Sequence, residues 1–103
     1  MKPERIELFK PVRFEWRLPN QENPETGEPQ IIRHNEDGPA VTTPFGYEAW
    51  YLNGLRHRDA GPAIEFEDFK AWYEHGKAHR IGGPAKVFTD GTEQWWENGV
   101  RIK

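Results

Sequence analysis

The side chains in this chain that could do chemistry are four histidines and a surplus of carboxylates, and their spacing decides whether they converge. His34, His57 and His79 each stand four residues before a Gly-Pro-Ala triplet, at Gly38-Pro39-Ala40, Gly61-Pro62-Ala63 and Gly83-Pro84-Ala85, and His75 is the fourth. A histidine cluster could ligate zinc, which needs nitrogens about 2.0–2.1 Å from one point. Equivalent positions of consecutive hairpins lie two strands apart, roughly 9–10 Å. The spacing therefore predicts structural rings, stacked on Trp or bonded to the Gly-Pro-Ala turn, and no metal. His75 falls at a turn position whose positive φ His tolerates. Glu65, Glu67, Asp68, Glu74, Asp90, Glu93 and Glu97 include the parts of a general acid and base, but nothing in their spacing sets two at a catalytic separation. The chain contains neither Cys nor Ser, which removes thiolate and serine nucleophiles, disulfides and thiolate metal sites. The expectation is a protein that is not an enzyme and uses no cofactor.

The elements that carry these residues follow from an internal repeat. The Gly-Pro-Ala triplets recur at spacings of 23 and 22 residues, and paired aromatics keep step with them: Trp50-Tyr51, Trp72-Tyr73 and Trp95-Trp96. Three residues after each Trp comes Asn53-Gly54, His75-Gly76 or Asn98-Gly99, and seven after it stand His57, His79 and Ile102. Asn-Gly and Asp-Gly are strong hairpin signals because a type I′ turn needs positive φ at both central residues. Each unit thus reads as two short strands and two turns, with Asp90-Gly91 read as a turn of the same type. A two-residue turn at Asn53-Gly54 sets Tyr51 opposite Arg56 and Trp50 opposite His57. The second unit is one residue shorter between Ala63 and Trp72. A three-residue loop with a bulge around Asp68-Phe69-Lys70 is expected to absorb the difference and keep the faces in register.

Adjacent residues of a strand point to opposite faces, so the Trp50, Trp72, Trp95 column and the Tyr51, Tyr73, Trp96 column must lie on opposite sides of the sheet. The Trp column, with His57, His79, Gly38, Gly61 and Gly83, is assigned to the structural repeat and its core. Tyr51, Tyr73 and Trp96, with Arg56 and Arg101 opposite, are assigned to a partly exposed protein-binding face, since Trp, Tyr and Arg dominate binding hot spots. Residues 1–33 do not match the period. They hold one strand in which Val12, Phe14, Trp16 and Leu18 alternate with Arg13, Glu15 and Arg17, a pattern expected to bury the apolar side. Pro19 to Gln30 reads as a mobile surface loop. The organisation is one domain: an N-terminal cap strand and Pro-rich loop over 1–33, then three 22–23-residue hairpin repeats over 34–103 in one twisted antiparallel sheet, all-β in class.

The run from Trp50 through Asn53-Gly54 and His57-Arg58 to Gly61-Pro62-Ala63, and its counterpart from Trp72 to Ala85, resemble variant MORN-type repeats, and are similar to aromatic, Asn-Gly, His-Arg, Gly-Pro-Ala arrays of bacterial and phage proteins. The resemblance covers residues 34–103 and implies an extended antiparallel sheet that binds or scaffolds. It departs from the MORN pattern in the Pro-Ala after the late Gly, so lipid binding is not carried over. The phage-borne arrays imply an inhibitor that blocks a host defence protein by steric occupation or acidic mimicry.

Lys plus Arg (14) against Asp plus Glu (17) gives a net charge of −3, so a protein partner is expected and a nucleic acid is not. The alternatives are a single-stranded nucleic-acid binder using the aromatic platform and a structural assembly subunit. No apolar run is long enough to span a membrane and Met1-Lys2-Pro3-Glu4-Arg5 does not open a signal peptide. A cytoplasmic protein is expected, with a homodimer through a sheet edge as a further option.

Overall fold

The computed structural model describes residues 2–8 and 13–103, so Val12 lies outside the described residues. In chain order its strands are β1 (Glu4–Leu8), β2 (Arg13–Arg17), β3 (Val41–Thr42), β4 (Glu48–Ala49), β5 (Tyr51–Leu52), β6 (Leu55–Arg56), β7 (Ile64–Phe66), β8 (Phe69–Ala71), β9 (Tyr73–Glu74), β10 (Lys77–Ala78), β11 (Lys86–Val87), β12 (Glu93–Gln94), β13 (Trp96–Glu97) and β14 (Val100–Arg101). Every pairing is antiparallel, as an all-β meander requires. No helix among the described residues is long and apolar enough to cross a membrane.

The sheet is not a single ladder. Eight strands pair in the order β1-β2-β3-β4-β7-β8-β11-β12, while β5-β6, β9-β10 and β13-β14 form separate two-stranded hairpins. The chain leaves the large sheet at each repeat Trp, between β4 and β5, β8 and β9, and β12 and β13. The three hairpin tips have positive φ at both residues: Asn53 50° and Gly54 83°, His75 47° and Gly76 83°, Asn98 49° and Gly99 79°. These are the left-handed values a type I′ turn demands, and they place Tyr51 opposite Arg56 and Trp96 opposite Arg101.

At the other end of each unit the expected loop lengths are reversed. Phe88 and Thr92 close on each other (2.9 Å), leaving Thr89-Asp90-Gly91 as a three-residue loop with Gly91 at φ 88°, and Thr43 and Tyr47 close likewise around Pro44-Phe45-Gly46. The shorter second unit turns in two residues, Glu67-Asp68, between the paired Phe66 and Phe69. Asp90-Gly91 is therefore not a two-residue turn. The missing residue is lost from the loop and not from a strand, so all three units keep their faces.

The N-terminal segment is more regular than its sequence. Trp16 donates its N–H to Ala40 (2.6 Å) and accepts from His34 (2.9 Å), just as Trp50 donates to Ala63 (2.6 Å) and accepts from His57 (3.1 Å). It is a repeat unit whose Trp and His stand 18 residues apart and not 7. The interval is an exposed hairpin extension: Leu18 bonds Ile32 (2.9 Å), Gln30 bonds Gln21 (2.9 Å) and Asn23 bonds Glu28 (2.8 Å).

The core is narrow and built largely of alanine. Ala40, Ala49, Ala63, Ala71 and Ala85 have no exposed surface. Val41, Ala49, Ile64 and Ala71 form the buried cluster, and Tyr47, Tyr51, Phe69 and Tyr73 pack against it. Because Ala contributes little apolar area, the flanking rings must supply most of it, each half-buried ring being worth roughly 1–2 kcal/mol. Both sides bury residues: the apolar cluster lies under the Tyr column, and the half-buried Trp rings lie on the other face with the buried Ala40, Ala63 and Ala85.

Candidate functional site

The repeat motif resolves into two separate devices on the Trp face. In the first, Nδ1 of each histidine accepts the backbone N–H at the tip of the next hairpin: His34 from Asn53 (2.9 Å), His57 from His75 (3.0 Å) and His79 from Asn98 (3.0 Å). A ring nitrogen that accepts carries no proton, so the proton sits on Nε2, which for His57 meets Asp59 Oδ1 at 2.7 Å. The histidines thus key one unit to the next and do not stack on Trp or bond the Gly-Pro-Ala turn. The rings of His57 and His75 approach to 4.4 Å, but among the described residues no three of His, Cys, Asp and Glu converge on a common point.

The second device belongs to the residue after the histidine. Arg58 lies 3.9 Å over the Trp50 ring and Arg80 3.9 Å over that of Trp72, with Lys103 at 5.0 Å over Trp95. The same guanidiniums donate to the proline carbonyls of the following triplets, Arg58 to Pro62 (3.2 Å) and Arg80 to Pro84 (3.1 Å), and Asn35 does so to Pro39 (3.2 Å). Glycine precedes the proline because the guanidinium lies against its Cα: a Cβ on Gly61 would stand 3.1 Å from Arg58 Cζ, and one on Gly83 2.9 Å from Arg80 Cζ. His-Arg, Gly-Pro-Ala and Trp are thus one packing unit. Shallow clefts of about 490 and 240 Å³ run between these loops, floored by Trp72 and Trp50 and flanked by charges of both signs.

The opposite face carries the residues assigned to binding. Tyr51 and Tyr73 are half-buried on the core cluster, Trp96 is half-buried with its Nε1 on Gln94 (3.0 Å), and Arg56 and Arg101 are exposed. Cations stand over these rings: Arg33 at 5.8 Å from Tyr51, Arg56 at 5.6 Å from Tyr73, and Lys86 at 4.6 Å from Trp96. The overall charge of −3 hides this segregation. Glu48, Glu65, Glu74, Glu93 and Glu97 adjoin Ala49, Ile64, Tyr73, Gln94 and Trp96 in their strands and point the other way. Glu65 there pairs with Arg58 (3.3 Å). Within the described strands, the acids on the Tyr face are Glu15 and its neighbour across from Arg17, Glu4.

Glu15 is the residue that sequence reasoning misplaced. The alternation of Phe14, Trp16 and Leu18 pointed to a buried apolar side, yet these are half-buried and Glu15 has no exposed surface. Its Oε1 accepts from Arg33 Nε (2.9 Å) and Arg17 Nε (3.2 Å). Arg13 Nε stands 2.8 Å from Oε2 in an ion pair whose N–H is not aligned as a hydrogen bond. Burial pushes the Glu15 carboxyl up, but the hydrogen bonds and charges of Arg33 and Arg17 outweigh it, and the group is held below its ordinary value. A carboxylate held ionised in this way organises arginines; it does not donate protons. On the same face, burial and then the Tyr51 charge raise the Tyr47 phenol, against the opposing pull of Arg56, Arg33 and Arg13. The signal for Glu15 was present: it holds the position before the unit's Trp, where the next units carry Ala49 and Ala71.

Fold and site together define an antiparallel repeat sheet with one basic, aromatic face and one Trp-lined, mixed-charge face. No protein-family model, curated protein or solved structure matches the chain.

Proposed function

We propose that the protein is a non-catalytic binding module that docks an acidic segment of a protein partner on its Tyr face. The observation that carries this reading is the segregation of charge: Arg13, Arg17, Arg33, Arg56, Lys86 and Arg101 share a face with Tyr47, Tyr51, Tyr73 and Trp96, where the strand acids are Glu4 and Glu15, while Glu48, Glu65, Glu74, Glu93 and Glu97 turn away. Complementary charge steers encounter, and the exposed parts of these half-buried rings supply contact area. The effect on the partner is occupation of its surface, the blocking role that the resemblance to phage-borne arrays implies. Base stacking on the same rings is the competing reading. It needs open ring faces, whereas Tyr51 and Tyr73 rest on the core and have cations over them.

The test is affinity capture from a nuclease-treated bacterial lysate, with the native chain compared to a variant carrying Arg56→Glu and Arg101→Glu. Both side chains are exposed, so the fold is expected to survive. The expected result is a protein retained by the native chain and released by the variant. Recovery of nucleic acid alone, before nuclease and at low salt only, would refute the proposal.

A further inference from the structure

The charged cluster around Glu15 departs from the pattern of the two units that follow it. Aligned on their Trp residues, the second unit presents Tyr47, Ala49 and Tyr51 on this face, with Arg56 across the hairpin, and the third presents Phe69, Ala71 and Tyr73, with Ala78. At the same positions the first unit has Arg13, Glu15, Arg17 and Arg33. An apolar set was available to this backbone, because the chain uses it twice, and burying a carboxylate costs several kcal/mol unless its partners are well placed. A capping role does not account for the charges either, since β1 pairs along the whole of β2 and the cluster is not at the sheet's outer edge.

We propose that Arg13, Arg17 and Arg33, gathered on Glu15, form a site for a phosphate monoester carried on a side chain of the acidic segment that docks on this face. The inference rests on the docking reading above and gives it a chemical anchor. Three guanidiniums carry five N–H donors each, and one carboxylate accepts about four hydrogen bonds. The closest approach of each to Glu15 is at Nε, so most of the donor capacity remains for another acceptor. The side chains are accessible: Arg13 is 41%, Arg17 21% and Arg33 36% exposed, over a carboxylate that is fully buried. Three cations against Glu15, with Glu4 across from Arg17 on the same face, still leave a net positive charge, and a phosphate monoester of about −1.5 to −2 at neutral pH draws more from it than a carboxylate or a phosphodiester. Glu15 also holds the guanidiniums in place before the ligand arrives, which lowers the ordering cost of binding. A nucleic-acid backbone would need its cations strung along an unbroken track, and the run Arg33, Arg56, Arg101 is interrupted at Ala78 in the third unit.

The experiment uses fluorescence anisotropy with a labelled peptide of sequence Asp-Glu-Ser-Glu-Asp, its serine phosphorylated or free, and inorganic phosphate as competitor. The phosphorylated peptide is expected to bind about 10-fold tighter or more, with displacement by inorganic phosphate. Arg17→Gln with Arg33→Gln should abolish that preference, and Lys70→Gln, exposed on the opposite face across from Glu65, should leave it intact. If the double variant has lost its circular-dichroism signature, Arg13→Gln, which removes only an ion pair, should still reduce the preference several-fold. Equal binding of the two peptides, or a preference that survives these substitutions, would overturn the site. So would a single-stranded oligothymidylate that binds as tightly as the phosphopeptide. If the free-serine peptide binds equally well and is lost with Arg56→Glu, the docking reading stands and the phosphate site falls.

Discussion

Adding one methyl group at Gly83 should damage the protein through a side chain three residues away. The backbone there has ordinary φ, so alanine is not strained, but its Cβ would lie 2.9 Å from Arg80 Cζ and 3.0 Å from Nε and Nη1. The guanidinium must move, and it is bonded to the Pro84 carbonyl at 3.1 Å and stacked 3.9 Å over Trp72. Losing a cation–π contact of about 0.5–1 kcal/mol and weakening a charged hydrogen bond of about 1.5 kcal/mol gives an expected loss of about 1–2 kcal/mol. In a domain of this size that is a fall of about 4–16 °C in the thermal midpoint. Gly61→Ala, at 3.1 Å from Arg58 Cζ, should follow closely, and Gly38→Ala, whose nearest atom is Asn35 Nδ2 at 3.6 Å, should be neutral or slightly stabilising because it stiffens the unfolded chain. The decisive assay is a double-mutant cycle by thermal denaturation. In an Arg80→Ala background the Gly83→Ala penalty should vanish, and a penalty of the same size in both backgrounds would refute the idea that glycine is there to seat the guanidinium.

Three further outcomes are expected. His57→Ala removes the acceptor for the His75 N–H and should cost about 1–3 kcal/mol in urea denaturation, with a smaller loss for His79→Ala, whose ring and acceptor bond are more exposed. Tyr73→Ala strips a half-buried ring from the core cluster and should cost about 2 kcal/mol, where a free surface anchor would leave the midpoint unchanged. Glu15 has a folded pKa below its unfolded value of about 4.5. Its contribution is therefore complete above that value and is lost as pH falls through the folded pKa. Midpoints recorded from about pH 6 to about pH 3 should show an acid limb that Glu15→Gln flattens; an unchanged limb would mean that other carboxylates set the acid transition.

Much of the local structure was legible because it depends on residues close in the chain. Asn53-Gly54, His75-Gly76 and Asn98-Gly99 tolerate the positive φ that a type I′ turn needs, and the pairings of Tyr51 with Arg56 and Trp96 with Arg101 follow from turn length alone. The 22–23-residue period dictates an antiparallel meander, and alternation separates the Trp and Tyr columns. Loop lengths were read the wrong way round, because a two-residue turn at Glu67-Asp68 and a three-residue loop at Thr89-Asp90-Gly91 differ by long-range pairing and not by local propensity.

What only the tertiary structure decided is which side of each strand is dry and what each repeated residue bonds. Both columns are aromatic, so composition is silent on what each covers; the tyrosines pack on Val41, Ala49, Ile64 and Ala71, and among the described residues the Trp side buries only Ala40, Ala63 and Ala85 with His34 and His57. The histidines bond hairpin tips about 18–19 residues ahead, and the arginines fill the roles assigned to them. Trp16 joins the Trp column although 18 residues part it from its histidine. Glu15 goes furthest against its local pattern. A charged residue alternating with Phe14 and Trp16 reads as solvent-facing, and only the arrival of Arg33 from beyond the loop, beside Arg13 and Arg17 of the same strand, makes its burial affordable.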